Sequence, residues 1–229
     1  MTEKIQSKVV VPLFPLPIAA CPGEVIPLHI FEPRYRDLLA WCKEEQARQR
    51  SGEFAILFKC RGPMATVGCT VRLSAVLRTE EDGRSDILVT GVRRCRVKQV
   101  LELHHYESAE VEYVEDDAGD WDERLATEVY QLHRRLVLGI TGKEPDDRLY
   151  EGKHLLSFVI LPSSGMTAVE KQELLEMRSE NGRLRAIRQH ITELLSAVEY
   201  VQMTGRSIQA WCDLQDFLAR WRNDGNHGS

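Results

Sequence analysis

The sequence contains no apolar run long enough to cross a membrane. Its closest candidate, residues 155–161, stops at Pro162, well short of the roughly 18 apolar residues that a span requires. The opening Met-Thr-Glu-Lys-Ile-Gln-Ser-Lys has no apolar signal core. None of the six cysteines (Cys21, Cys42, Cys60, Cys69, Cys95 and Cys212) forms a Cys-x-x-Cys pair. Disulfide frameworks belong to short secreted chains, so buried thiols in a reducing, cytoplasmic setting are expected. Excess positive charge is also missing. Lys and Arg number 30 against 35 Asp and Glu, a net charge of −5, which argues against a nucleic-acid footprint. Gly-x-x-x-x-Gly-Lys-Ser/Thr, His-Glu-x-x-His, Gly-x-Ser-x-Gly and Gly-x-Gly-x-x-Gly do not occur. Their absence excludes the commonest nucleotide, zinc-protease, hydrolase and dinucleotide readings. Cys/His zinc spacing is absent as well, so no catalytic residue, metal ligand or cofactor is assigned.

What is present is an ordinary globular composition. The 229 residues are 43% hydrophobic and 28% charged, enough for a substantial core without staples. Two textures divide the chain. Residues 8–114 are rich in Val, Gly and Pro with period-two stretches, and those from about 120 onward carry Leu, Glu and Arg at helical spacing. The acidic stretch 115–120 between them reads as a solvated linker. The clearest strand is 67–77, where Val67, Cys69, Val71, Leu73, Ala75 and Leu77 alternate with smaller or polar residues. Asp82-Gly83 is a turn signal, and 86–100 resumes β character, so the two runs form a long hairpin. Gly91 marks a bulge or a close backbone approach. Residues 108–114, 54–59 and 8–14 supply further strands, and such short strands suggest a small, nearly closed barrel. One helix interrupts them. It starts at Glu32-Pro33, carries the stripe Tyr35, Leu38, Leu39 and Cys42, and runs to about Arg50.

The second half reads as helices. Asp120 caps a segment striped by Trp121, Leu125, Val129, Leu132 and Leu136, ended by Gly139 and Gly142. A second helix covers 148–161. Thr167-Ala-Val-Glu170 is a capping box that opens a short helix through Met177. Asn181-Gly182 reads as a break before a long helix with Leu184, Ile187, Ile191, Leu194, Leu195 and Val198. After Gly205, a last amphipathic helix spans 207–221, striped by Ile208, Trp211, Leu214, Leu218 and Trp221, and a disordered tail follows.

Few residues suggest chemistry. His104 and His105 are the only adjacent histidines, and strand neighbours point to opposite faces, which disfavours a shared metal. Cys21, in Ala-Cys-Pro-Gly, reads as an exposed loop thiol without a local base. Arg94, Arg96 and Lys98 share a strand face by period two. They suit an anionic partner or a peptide carboxylate, although solvated charges neutralised by nearby glutamates explain them more simply. The last helix either docks on the helical half as core or presents a face to a partner, and that face permits a homodimer.

The motifs taken in order resemble one family. Val11-Pro-Leu-Phe-Pro-Leu-Pro17, Cys21-Pro-Gly-Glu-Val-Ile-Pro-Leu-His-Ile-Phe31 and Glu32-Pro-Arg-Tyr-Arg36 resemble the opening of the LON substrate-binding domain. That domain forms the N-terminal region of ATP-dependent Lon proteases and also occurs in cereblon. Val67-Gly-Cys-Thr-Val71, Gly91-Val-Arg-Arg-Cys-Arg-Val97, Tyr106-Glu-Ser-Ala-Glu-Val-Glu-Tyr113, Leu161-Pro162, Glu170-Lys-Gln-Glu-Leu-Leu-Glu176 and Arg183-Leu184 continue the likeness, which spans about 8–200. The resemblance implies an α+β fold, a PUA-like pseudo-β-barrel of about six strands followed by an α-helical bundle. The barrel is assigned to 8–116, the helical subdomain to 120–200, and the extra helix and tail to 201–229. Counterparts of the Lon ATPase and Ser–Lys protease are missing, as is the cysteine-rich zinc domain of cereblon, so a stand-alone, non-catalytic domain is expected. Its implied role is recognition of exposed hydrophobic or unfolded polypeptide, or of a dedicated protein partner, with no nucleic acid and no membrane. The contact residues expected are Phe31, Arg34 and Tyr35 at the helix entry and Arg94 and Arg96 on the hairpin. Trp211, Leu214, Leu218 and Trp221 form the docking helix. The alternatives are an enzyme using Cys21 or a histidine, and RNA binding by analogy of fold.

Overall fold

The computed structural model of the protein describes residues 9–101, 105–119, 121–147, 150 and 155–204, with side chains as far as 197. Six strands form one sheet: β1 (Val9–Leu16), β2 (Val25–Ile30), β3 (Phe54–Phe58), β4 (Val67–Thr79), β5 (Ser85–Leu101) and β6 (Ser108–Tyr113). Their order is β2-β5-β4-β3-β1-β6, and β5 also pairs with β6. The last pairing closes a ring of five strands, and β2 lies outside it against the first half of β5. Sequence reading misses β2 because Pro27 sits at its centre. Proline has no N–H for a ladder, and an edge strand is where a sheet tolerates it.

The β4–β5 hairpin forms as the alternation predicts, but its apolar face is not uniform. Residues 67–71 are buried on both faces, because the helical half covers the outer one. There Gln172 Nε2 donates to the Val67 carbonyl at 2.9 Å. Beyond Leu73 the strand reaches solvent, and two register shifts turn Leu77 outward. Helix α1 (Pro33–Ala47) buries Tyr35, Leu38, Leu39 and Cys42 against Phe14, Ile56, Val71 and Val89. Pro33 occupies the first turn, where a missing N–H costs nothing.

Gly91 provides both features that the sequence suggests. Register shifts opposite it, between Thr70 and Val71, and the turn at residues 21–24 packs directly onto it. Gly23 N donates to the Gly91 carbonyl, and Gly91 N donates to Glu24 O, each at 2.9 Å. Gly23 has φ +79°, the conformation that the third residue of a Pro-Gly type II turn needs. This strap buries Cys21 completely and launches β2.

The helical half comprises α2 (Glu123–Thr141), α3 (Leu156–Ile160), α4 (Ala168–Glu176) and α5 (Glu180–Thr204). Asp122, not Asp120, caps α2 by accepting from Arg124 N and Leu125 N, and Trp121 lies outside the helix with its ring half exposed. Gly139 sits inside α2; Gly142, at φ +68°, ends it. The capping box at Thr167 and Glu170 forms as read. Asn181 and Gly182 do not break the chain but occupy the first turn of α5, where such residues are cheapest. Of the expected helix 148–161, residues 156–160 are helical, and 148–149 and 151–154 lie outside the described residues. The helix expected at 207–221 also lies outside them.

A buried charged joint connects the two halves. Arg94, on β5, is 3% exposed. It donates to the carbonyls of Leu175 and Met177 and to Asp116. Arg183, on α5, bonds both oxygens of Asp116 at 2.7 Å, Glu180 Oε2 at 2.6 Å and Ser157 Oγ at 2.8 Å. The acidic stretch read as a linker therefore supplies the shared carboxylate.

Candidate functional site

On β2 the residues at i, i+2 and i+4 share a face. Val25, Pro27 and His29 are all exposed there, and Phe31 continues the row. Val25 is 58% and Phe31 57% exposed. Their cross-strand partners on β5 are Thr90, Leu88 and Asp86. His29 Nδ1 lies 2.6 Å from Asp86 Oδ1, and its ring stacks on Phe31 with centroids 5.9 Å apart. Phe31 is thus held at the junction of β2 and α1, apolar yet in water. Arg34 is exposed beside it and bonds Glu32 at 2.9 Å, with its guanidinium 4.5 Å from the Tyr35 ring centroid.

The five expected contact residues do not form one site. Phe31 and Arg34 stand together at the surface. Tyr35 turns inward, its ring 4.0 Å from that of Phe14, and cannot meet a partner. Arg94 belongs to the buried joint. Arg96 is exposed but lies ten residues along β5 from Asp86, roughly 30 Å at strand rise. Val25, Pro27 and the open edge of β2 escape sequence reading. The signal that could have found them is the same Pro27 that obscures the strand.

An open groove of about 320 Å³ lies between α4 and α5 and is rimmed by Glu170, Glu173 and Glu193. Among the described residues no group of three or more His, Cys, Asp or Glu is placed to hold a metal ion.

A model of the ATP-dependent protease La (LON) substrate-binding domain matches residues 10–193. The chain belongs to the LON substrate-binding domain family. Two solved structures share the fold. The Lon N-terminal domain protein from Xanthomonas campestris aligns with a TM-score of 0.59 and 23% identity, covering 78% of this chain and 96% of its own. The N-terminal domain of Mycobacterium avium complex Lon protease aligns with a TM-score of 0.66 and 20% identity, covering 80% and 98%. The LON domain is a substrate-recognition module and not a catalytic one.

Within the LON fold, the opening motif acquires physical roles. Cys21 is not an exposed thiol: burial, then the Glu24 carboxylate, pushes its pKa up to about 12, the opposite of what a nucleophile needs. His133, on α2, is 3% exposed, with Nδ1 2.8 Å from the Tyr150 hydroxyl and Nε2 2.9 Å from Ser163 Oγ. Burial pushes its pKa down to about 4, against 6.5 in an unfolded chain. The unfolded chain therefore binds a proton that the native protein refuses. Stability is full above pH 6.5 and falls as pH drops toward 4, by up to about 3 kcal/mol. Urea titrations at pH 7 and pH 4 should show this loss reduced in His133→Gln; an identical pH slope in that variant would exclude His133 as its source.

Proposed function

We propose that this LON domain recognises extended, apolar polypeptide segments, such as those exposed by unfolded proteins, through the face made by Val25, Pro27, His29 and Phe31. The observation that carries the reading is the exposure of Phe31. A large aromatic side chain held in water at a strand–helix junction is the kind of anchor that dominates binding energies elsewhere. The open edge of β2 supports an extended ligand rather than a helix, since an incoming strand can use unpaired backbone groups there. Pro27 removes one donor from that edge, which limits indiscriminate pairing. We assign recognition to the barrel, residues 8–116, with 120–200 as its helical buttress. The setting proposed is the cytoplasm, in keeping with the free Cys21, Cys42, Cys60, Cys69 and Cys95. Among the described residues no helix is long and apolar enough to cross a membrane.

The test is a fluorescence-anisotropy titration of a labelled, extended apolar peptide and of a permanently unfolded protein. Phe31→Ser should weaken both at least about tenfold while leaving Tm unchanged, and Arg96→Glu, far along β5, should leave affinity unaltered. Equal affinity in Phe31→Ser and Val25→Ser would remove this face from consideration. Failure of the unaltered protein to bind any unfolded or extended chain would defeat the reading itself.

A further inference from the structure

The backbone groups on the edge of β2 are settled by its register. Among the described residues β2 ends the sheet order and pairs with β5 alone. Continuing that register by one residue sets Glu24 opposite Gly91, whose N–H its carbonyl accepts. Bonded and non-bonded pairs alternate along an antiparallel ladder. Ile26, Leu28 and Ile30 therefore turn their N–H and C=O groups toward β5, and Val25, Pro27 and His29 turn theirs to the open edge. Val25 and His29 each offer a donor and an acceptor there. Pro27, between them, offers an acceptor alone. The same three residues carry their side chains on the exposed face, in line with Phe31.

We propose that this edge takes one extended strand of a foreign chain, held through Val25 and His29, and that Pro27 bars a second copy of this chain from it. The first half deepens the polypeptide reading above and rests on it; the second rests on the fold. Two copies meeting edge to edge pair about a two-fold axis. The antiparallel register with most overlap sets Val25 opposite the other copy's His29, and Pro27 opposite Pro27. The middle pair then holds two carbonyls and no N–H, at the centre of the contact. Sliding one bonded pair either way sets Pro27 opposite Val25 or His29, whose carbonyl finds no donor, once on each side of the axis. Each of these registers leaves an acceptor unmet on both copies. A foreign strand without proline fares better. Its residue opposite Pro27 still donates to the Pro27 carbonyl, so the foreign residue's own carbonyl is the one left unmet. Self-pairing is therefore selected against by the same residue that a foreign strand tolerates. Cross-strand partners share a face, so the foreign residues opposite Pro27 and His29 bring their side chains to the face that Phe31 anchors.

Sedimentation equilibrium over a wide concentration range tests the exclusion. Pro27→Val restores the missing donor and should self-associate at least about tenfold more tightly than the unaltered protein. Adding Val25→Pro moves the gap to the first residue of the strand, where proline is tolerated, and should cancel the gain. A silent Pro27→Val, or a gain that Val25→Pro leaves intact, would overturn the exclusion. Strand addition is read on the labelled apolar peptide used above, methylated at single backbone nitrogens. Methyl groups at alternate residues should weaken binding at least about tenfold, and those between them should have little effect. Pro27→Val, at concentrations where it is monomeric, should bind the unmethylated peptide about fivefold more tightly, the worth of one hydrogen bond. Methyl scanning without alternation, with Phe31→Ser still weakening binding, would overturn strand addition and leave the Phe31 face as the recognition surface.

Discussion

Arg183→Met is expected to destabilise the protein by about 3–5 kcal/mol, or about 6–20 °C in Tm for a chain of this size. The guanidinium is fully buried and spans three carboxylate oxygens, the Ser157 hydroxyl and the Met177 carbonyl. It also stacks 4.4 Å from the Phe158 ring centroid. Methionine fills similar volume but leaves the Asp116 and Glu180 carboxylates facing each other without Arg183 between them. A buried pair broken on one side costs far more than the intact pair contributes. Glu180→Gln in the Arg183→Met background should recover part of the loss. Guanidinium denaturation reads both the loss and the recovery. A loss under about 1 kcal/mol would mean that the joint does not hold the halves together.

Gly91→Ala should cost about 3 kcal/mol or more, from two broken hydrogen bonds and a displaced turn. A Cβ at this position would lie 1.9 Å from the Cys21 carbonyl oxygen and 2.9 Å from its carbon. Both atoms are backbone, so no rotamer change relieves the overlap. The strap must lift, breaking Gly23 N–H to Gly91 O and Gly91 N–H to Glu24 O and uncovering Cys21. Gly139→Ala is the matched control. Its Cβ meets nothing within 4 Å, and inside α2 alanine should stabilise by about 0.5–1 kcal/mol. Equal effects from the two substitutions would discredit the close approach as the reason for glycine at 91. Because the strap launches β2, Gly91→Ala should also weaken polypeptide binding through Phe31.

The elements readable from sequence are those whose covered face follows from their own periodicity. The β4–β5 hairpin, the α1 stripe and the Thr167–Glu170 capping box are local patterns, and each forms. Residues whose environment is set by distant chain are not legible in this way. Arg94 looks like a solvated strand cation until the C-terminal end of α4 covers that part of β5. Asp116 looks like linker until two arginines from different elements converge on it. Cys21 looks exposed because burial by β5 lies seventy residues away in the sequence. At the candidate site, Phe31 and Arg34 are exposed as expected, whereas Tyr35, one residue on from Arg34 in the same helical turn, points to the core. A helical stripe already containing Tyr35, Leu38, Leu39 and Cys42 carried that information.

The arrangement of β1 has a consequence during synthesis on the ribosome. Its second half pairs with β3, but Val9–Pro12 pairs with β6, whose Val111 and Glu110 are made about a hundred residues later. At about 5–20 residues per second, the first half of nascent β1 waits on the order of 5–20 s unmatched. Pro12 lies within that half and Pro15 just beyond it, and each removes an N–H that a stray strand would need. The prolines of the opening motif therefore protect the chain before there is a barrel for them to shape.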